Sequence, residues 1–437
     1  MFSKLKNRYL ALSSVHQRVF SGAFWSLLGA CVSKVIVLCA TVIVARILLK
    51  SEYGEVGMVR STIAMFMAFS SFSIGATASK YIAEYRECNK EYAVKIYVLS
   101  LVFSIIMAII FGAIVLLSSD YIATNSFNAP HLASTVRMAA MILIFATLSG
   151  AQTGVLAGFE NFKTISKINI IFGFSESLFI VAGAYFFGVE GVISGFGLAN
   201  LLNFILLHTL ARKQISNLGF SIKETFLKLR IKDFSILYKF SLPATISSML
   251  TLVFVWYSKT ILVQNCGFEE MANFDVAEQW RTQLLFIPAA ISQIVLPILS
   301  NSKHNSGDQL RVIKSNIAIN VTTTLLISLF FLCFGGYILQ IYGENYTNTM
   351  PLYLMGFTGV IISVTNVLGS VCFANDKAWH ICMLNGFQGI LLVLFTKYFI
   401  QDGLADTGLA LANIISYFIF ALMLGFVVTR VLHLNKR

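Results

Sequence analysis

Long, uninterrupted apolar runs constrain this chain more than any other feature. A bilayer core is about 30 Å thick and an α-helix rises about 1.5 Å per residue, so one crossing needs about 20 apolar residues. Runs of that length recur along the sequence, and their apolar residues do not alternate with polar ones as they do in a membrane β-barrel. They lie near 20–46, 55–75, 93–118, 134–156, 164–186, 191–210, 239–263, 278–299, 313–337, 350–372, 379–400 and 406–429. We therefore predict an all-α integral membrane protein with twelve transmembrane helices.

The charge content excludes several other classes of protein. Only 12% of the 437 residues are charged and 57% are hydrophobic, whereas a soluble domain carries about 25% charged residues. An ordinary soluble enzyme and a disordered chain are therefore excluded. The net charge of +12 would suggest a nucleic-acid partner in a soluble protein. In this chain we expect no such partner, because the basic residues follow a membrane pattern.

The positions of Lys and Arg predict the orientation. If the N-terminus is cytoplasmic, most of the 32 basic residues fall in cytoplasmic segments. The segments on the other side, such as 265–279 and 401–408, are acidic. Cytoplasmic loops of membrane proteins carry the excess of Lys and Arg. We expect a multi-pass membrane protein with both termini in the cytoplasm.

The chain divides into two similar halves. The longest gap between apolar runs predicts a cytoplasmic linker at 211–238, between six-helix bundles at 1–210 and 239–437. The segment YGEVGMVRSTI (53–63) aligns with FDVAEQWRTQL (274–284), which places Arg60 over Arg281. GFENFK (158–163) similarly aligns with CFANDK (372–377). A parallel repeat of this kind, with a cleft between the halves, is typical of alternating-access transporters.

Ionisable residues inside the spans need a structural or functional explanation, because each adds roughly 2.5–3.5 kcal/mol to the free energy of membrane insertion. Four of them lie near the outer ends of their spans: Arg46, Arg137, Lys259 and Lys397. Their long side chains can reach the headgroup region, so we expect them to snorkel. For Lys259 a place in a central cavity is also open, since polar and aromatic residues precede it.

Deeper charges allow two interpretations. Lys34 and Glu176 lie near the middle of spans one and five, and Arg60 and Arg281 lie a turn or more inside spans two and eight. One interpretation is a structural ion pair between Lys34 and Glu176. The other is a cationic cavity of Lys34, Arg60, Lys259 and Arg281 for an anionic substrate, with Glu176 as the ion-coupling carboxylate. The planar guanidinium of Arg is suited to phosphate, so paired arginines from the two halves would suit a diphosphate.

Motifs for enzymatic chemistry are missing from the sequence. It contains no P-loop, no G-x-S-x-G and no HExxH motif. The seven cysteines include no C-x-x-C pair and the six histidines are scattered. We expect neither an enzyme nor a bound metal or other cofactor. Coupling to a proton or sodium gradient remains open.

Three segments carry a resemblance to a known family: FWSLLGACVSKVIVLCATVIVARILLKSEYGEVGMVRS (24–61), GATASKYIAEYR (75–86) and VLAGFENFK (155–163). They resemble the polysaccharide transporter family of the multidrug/oligosaccharidyl-lipid/polysaccharide (MOP) superfamily, which is MATE-like, and in character the Wzx-type O-antigen flippases. The resemblance implies a protein of the bacterial inner (plasma) membrane that translocates undecaprenyl-diphosphate-linked oligosaccharide repeat units from the inner to the outer leaflet through a cationic lumen. It also implies partnership with an O-antigen polymerase and a chain-length regulator.

Two other functions stay open from the sequence. A multidrug or organic-ion antiporter would have the same fold, but its cavity would carry the opposite charge. A membrane glycosyltransferase or polymerase would need a sizeable outer loop for catalysis, and the outer loops here are short. The sequence therefore favours the flippase.

Overall fold

The computed structural model describes residues 14–220, 222–227, 235–286, 288, 306–375 and 377–434. These residues form helices and no β-strand. A helix pairs its own backbone N–H and C=O groups, which is what a segment in lipid requires. The helices are α1 (Ser14–Ile47), α2 (Lys50–Ser71), α3 (Ile74–Tyr85), α4 (Lys90–Tyr121), α5 (Ala133–Gly158), α6 (Phe162–Ser216), α7 (Ile222–Leu227), α8 (Ser235–Cys266), α9 (Phe268–Leu284), α10 (Ser306–Tyr342), α11 (Met350–Ala374), α12 (Ala378–Gln401) and α13 (Ala405–Leu434).

All of the predicted transmembrane helices except the eighth are present in the described part of the chain. Ten helical stretches there are long and apolar enough to cross a membrane. One of the ten, Phe162–Ser216, contains two predicted spans. The predicted eighth span begins as α9, and its remainder lies mostly outside the described residues. The all-α membrane fold is thus confirmed.

Residues with positive φ interrupt the helical path of the chain at two places. Gly188 has φ 59° and divides α6 into limbs 162–187 and 189–216. Glycine tolerates this φ because it has no Cβ. Phe72 and Ser73 also have positive φ, 41° and 49°, and they separate α2 from α3. The second span is therefore a broken helix and not the continuous run 55–75 that hydropathy predicts.

The proposed linker is only partly visible. Helix α6 continues to Ser216, past the predicted boundary at 210, and α7 follows within the linker range. Residues 221 and 228–234 lie outside the described part. The division at 211–238 stays a prediction.

Each half packs mainly within itself, and the halves meet along α2. In the first half α1 and α5 pack on α6, and in the second half α12 packs on α8 and α13. Across the divide α2 packs on α9 and α8, so the second span of one half contacts the second span of the other. A single buried apolar cluster continues through this contact and includes Met58, Val59, Leu262, Met271 and Phe274.

The outward-facing sides of the helices carry large apolar residues. Leu117, Phe187 and Tyr337 are among the most exposed. Such a surface would be unusual in water, and it fits a lipid environment. The chain is therefore a multi-pass membrane protein.

Candidate functional site

A cavity of about 410 Å³ lies between the halves, where α2 faces α8 and α9. Its charged lining residues are Arg60 on α2, Lys259 on α8, and Asp275 and Glu278 on α9. Residues three, four and seven positions apart share a helix face, which brings Asp275, Glu278 and Thr282 to one wall. Ligand cavities in proteins typically measure about 300–1,000 Å³. The space is sufficient for part of a substrate.

Lys259 is the most enclosed charge of the cavity. Its side chain is 5% exposed, and its Nζ lies 2.5 Å from Glu278 Oε2 and 3.6 Å from Asp275 Oδ1. A buried ammonium needs partners of this kind, because it has lost its hydration. The expectation that Lys259 snorkels to the membrane surface is wrong. Its ammonium is instead held by carboxylates of the neighbouring helix α9.

Arg60 is the cation that the cavity leaves most accessible. Its side chain keeps 33% exposure, and its Nη2 lies 3.5 Å from Glu176 Oε1. The guanidinium carbon lies 5.2 Å from the centre of the Phe196 ring. Glu176 is itself buried, at 6% side-chain exposure. Arg60 therefore has one long ion pair, one aromatic contact and an open side toward the cavity.

Arg281 lies beside the cavity with part of its guanidinium free of protein partners. Its Nη2 donates to Glu278 Oε1 at 3.0 Å. Its Nε and Nη1 atoms are buried and have no hydrogen-bond partner among the described residues. An unpaired buried donor is costly. An acceptor that reached these two donors would remove that cost.

Lys34 does not line this cavity, and it does not pair with Glu176. Its Nζ lies 5.1 Å from the centre of the Phe286 ring. Ser33, the preceding residue, packs against Gly173 on α6. Successive helix residues differ by about 100° in direction, so Lys34 points away from that contact. In the structure Glu176 pairs with Arg60 instead, and the Lys34–Glu176 interpretation is wrong.

The sequence interpretation missed the two carboxylates of α9. Hydropathy placed Asp275 and Glu278 in an acidic outer loop, but both lie on α9 at the cavity wall. Two carboxylates besides Glu176 therefore pair with the cations around the cavity. The internal repeat indicated that these residues are helical, because the alignment of 274–284 with 53–63 required both segments to have the same structure. With Arg60, Lys259 and Arg281, the acidic groups make the site a mixed-charge network and not a purely cationic lumen.

Polar side chains join the halves around the cavity. Trp256 Nε1 donates to Thr62 Oγ1 at 2.9 Å. Gln279 Nε2 donates to Thr41 Oγ1 at 2.7 Å, and its Oε1 accepts from the Tyr342 hydroxyl at 2.9 Å. The bonds to Thr62 and Thr41 connect α2 and α1 to the second half, and the bond from Tyr342 lies within that half.

Three tyrosines pack against one another at the end of the molecule where α1 meets α2 and α8 meets α9, which we call the α1–α2 end. The Tyr53 ring lies 6.5 Å from the Tyr342 ring and 6.4 Å from the Tyr346 ring, in edge contacts. All three side chains are buried. Burial, and then the charge of Asp275, raises the pKa of Tyr346 above its ordinary value. The phenol is therefore neutral at pH 7.

Arg46 adds a contact at the same end. Its Nε donates to the Ile341 carbonyl at 2.6 Å and its Nη2 to the Gln340 carbonyl at 3.3 Å. The last carbonyls of a helix have no partner within the helix, so Arg46 caps α10 from the other half. Arg137, also predicted to reach the headgroups, is exposed and pairs with Asp120 at 2.6 Å.

Comparison with known proteins shows which family the chain belongs to. The sequence profile described as polysaccharide biosynthesis protein matches residues 19–303. The chain belongs to this family. It is also 23% identical over 430 residues to a candidate O-antigen transporter of Shigella flexneri, covering 94% of this chain and 98% of that protein.

Solved structures share the fold. An inward-facing multidrug resistance MATE family transporter of the MOP superfamily matches with a TM-score of 0.74 at 14% identity, over 93% of this chain and 98% of that one. An outward-facing MATE transporter of the same superfamily matches with a TM-score of 0.68 at 14% identity, over 96% of each chain. A MOP superfamily transporter from Pyrococcus furiosus matches with a TM-score of 0.67 at 15% identity, over 96% of each chain. The fold is therefore that of the MATE/MOP transporters.

Proposed function

We propose that the chain is a flippase for undecaprenyl-diphosphate-linked O-antigen, or related surface-polysaccharide, repeat units. It moves them from the cytoplasmic to the periplasmic leaflet by alternating access, with both chain termini in the cytoplasm. Family membership and the similarity to a candidate O-antigen transporter support a polysaccharide cargo. The observation that carries the proposal is Arg60 on the cavity wall, together with Arg281 behind it, which pairs with the cavity residue Glu278. Arg60 is open toward the cavity, and Arg281 has two buried donors without a partner among the described residues.

In this proposal the diphosphate binds Arg60 in the cavity, and Arg281, which pairs with the cavity residue Glu278, is its second ligand. Guanidinium groups bind phosphate oxygens through two parallel hydrogen bonds. Arg60 and Arg281 come from equivalent positions of the two halves, so a diphosphate between them draws the halves together. The glycan occupies the polar space beside α9, and the polyprenyl tail stays in lipid.

Carboxylates and substrate compete for the same cations. Glu278 contacts both Lys259 and Arg281, and Asp275 contacts Lys259. When these acids are neutralised, the cations are free for the diphosphate. When the acids ionise, they displace it. In this scheme an ion gradient gives direction, with Glu176, the partner of Arg60, as the other coupling carboxylate.

A multidrug or organic-ion antiporter is the second candidate, and the missed carboxylates favour it. Asp275 and Glu278 on the cavity wall are the groups that an organic cation would contact. The two functions differ in which residue is essential. A flippase depends on the arginines, whereas a cation exporter depends on the acids.

Complementation tests the proposal. Wild type, Arg60→Gln and Arg281→Glu are expressed in cells that lack their own O-unit flippase and make the matching repeat unit, and surface polysaccharide is scored. We expect rescue by wild type and by Arg137→Gln, a matched variant at an exposed arginine away from the cavity. We expect loss in both cavity variants at equal membrane levels.

Other outcomes of these experiments would contradict the proposal. Rescue by both cavity variants removes the arginines from the site. Failure of wild type, together with export of cationic dyes that Asp275→Asn abolishes, establishes the antiporter. Co-purification with the O-antigen polymerase or chain-length regulator of the same cells tests the proposed partners.

A further inference from the structure

A second pocket, of about 920 Å³, lies between the two halves at the α1–α2 end. One wall is the junction of α1 with α2, which contributes Arg46 and Lys50, and the other is the end of α10 with the loop that follows, which contributes Glu344. Gly336 of α10 also lines the pocket, and nothing lies within 4 Å of a Cβ atom there. Pockets of this volume hold ligands of the size of a drug. This one shares no lining residue with the cavity at Arg60.

The second pocket contains two cations and one carboxylate that do not neutralise one another. Lys50 Nζ lies 5.5 Å from the centre of the Tyr346 ring. Arg46 uses Nε and Nη2 for the carbonyls of α10, which leaves Nη1 without a partner among the described residues. Neither cation forms an ion pair within that part of the chain, and neither does Glu344, which is exposed. The pocket therefore offers charges of both signs to a ligand.

Exposed apolar side chains continue from this pocket along both of its helices. Ile43 lies three residues before Arg46 on α1, and Tyr337 lies three residues before the pocket residue Gln340 on α10. Residues three apart share a helix face, and Ile43 and Tyr337 are 46% and 69% exposed. Both helices are long and apolar enough to cross a membrane. In a bilayer the pocket is therefore the polar end of an apolar groove, which suits a ligand with a charged head and an alkyl tail.

A phospholipid whose headgroup carries a phosphate and a primary ammonium matches these charges. Its phosphate suits Arg46 and Lys50, since basic pockets between transmembrane helices bind lipid headgroups. Its ammonium has three N–H donors for the carboxylate of Glu344. An anionic lipid without an ammonium would leave Glu344 unpaired beside its phosphate. Glu52 does not line the pocket, and its carboxylate accepts from the Leu49 amide at 2.9 Å.

We propose that the second pocket binds the headgroup of one such zwitterionic phospholipid, with its phosphate on Arg46 and Lys50 and its ammonium on Glu344. The acyl chains follow the groove past Ile43 and Tyr337. Because Arg46 already joins α1 to the end of α10, a lipid bound there favours the state in which the halves meet at the α1–α2 end. This last link rests on the proposed function, and so does the assignment of the lipid to the periplasmic leaflet.

Native mass spectrometry of the delipidated full-length protein tests the pocket, by titration with phosphatidylethanolamine, phosphatidylglycerol and phosphatidylcholine of equal chain length. We expect one phosphatidylethanolamine to bind about threefold or more tighter than either of the others. Phosphatidylglycerol has no ammonium, and the quaternary ammonium of phosphatidylcholine has no N–H donor. Lys50→Gln should weaken phosphatidylethanolamine and phosphatidylglycerol alike. Glu344→Gln should weaken phosphatidylethanolamine alone and so remove the preference. Lys397→Gln is the matched control, because Lys397 Nζ also lies over a tyrosine ring, 5.9 Å from the centre of Tyr257, outside the pocket.

Several results would overturn the proposal. They are the absence of saturable binding in wild type, equal affinity for the three lipids, a preference that survives in Glu344→Gln, and equal loss in Lys397→Gln. Tighter binding of undecaprenyl diphosphate than of phosphatidylethanolamine would assign the pocket to the cargo, and it would also overturn the proposal. Glu344 is exposed, so its variant keeps the test decisive if Lys50→Gln does not fold. Lipid binding is measured without the repeat unit, so it can fail while complementation succeeds, and the reverse.

Discussion

Lys259 shows how one buried charge organises the cavity. Its ammonium is held by two carboxylates of α9, and one of these also holds Arg281. Removing one partner from such a group leaves the others desolvated and unpaired, which costs more than the pair itself contributes. Lys259 therefore links cavity charge to the stability of the second half.

Replacing Lys259 by Met should lower the free energy of unfolding by about 2–3 kcal/mol, because Glu278 and Asp275 lose their shared partner. Thermal unfolding of the purified protein measures the change. The double variant Lys259→Met/Glu278→Gln should recover part of the loss. Lys397→Met is the control, since Lys397 is exposed. Equal effects at the two lysines would contradict the account.

The sequence predicted which charged residues lie within the spans, but it did not predict the direction in which each side chain points. The positions of Arg60 and Lys259 within apolar runs predicted intramembrane charges, and both line the cavity. Lys34 lies at similar depth yet points elsewhere, because Ser33 packs on Gly173. That contact between α1 and α6 depends on tertiary packing and has no signature in the local sequence.

At the scale of elements, the contact between α2 and α9 holds the halves together at the α1–α2 end. A Cβ atom at Gly54 would overlap the backbone oxygen of Phe268, and one at Gly57 would lie 3.0 Å from Asp275 Cγ. Small residues permit this close approach of helices in membranes. The two backbones are in contact where any side chain would separate them.

Gly54→Ala should therefore destabilise the α2–α9 contact by about 1–3 kcal/mol, since the added methyl group meets backbone that cannot move aside. Thermal unfolding together with the complementation assay measures the effect. Gly150→Ala is the matched control, because nothing lies within 4 Å of a Cβ atom there. If both variants behave as wild type, the close packing is not required.

The hydropathy of the sequence predicted most of the helices but not α9. The apolar runs predicted the spans because their backbone must be helical in lipid. The stretch FEEMANFDVAEQ has too many acids to look like a span. Asp275 and Glu278 are tolerated there because Lys259 and Arg281 neutralise them, and those partners are only visible in three dimensions. The repeat alignment was the better guide here.

At the scale of the whole molecule, the halves are joined on both sides of the cavity. Arg46 and the tyrosines Tyr53, Tyr342 and Tyr346 join them at the α1–α2 end. Thr245 Oγ1 donates to Ser73 Oγ at 3.0 Å at the break between α2 and α3. Alternating access requires these two sets of contacts to open in turn.

A cross-link at the second contact should stop transport. In Ser73→Cys/Thr245→Cys the two sulfurs replace oxygens already in contact, which suits disulfide geometry. Oxidation should abolish flipping in proteoliposomes, and dithiothreitol should restore it. Each single variant should be insensitive to oxidation. Flipping that continues in the fully cross-linked protein would contradict a mechanism in which this contact opens.

The most direct measurement of the central claim is flipping of a fluorescent undecaprenyl-diphosphate-linked oligosaccharide by the purified protein in proteoliposomes. Loss of fluorescence on adding dithionite outside the vesicles reports how much substrate has moved. The account predicts movement well above that in empty vesicles, with loss in Arg60→Gln and retention in Arg137→Gln. Movement no faster than in empty vesicles, or equal in both variants, would contradict transport of this substrate through the cavity.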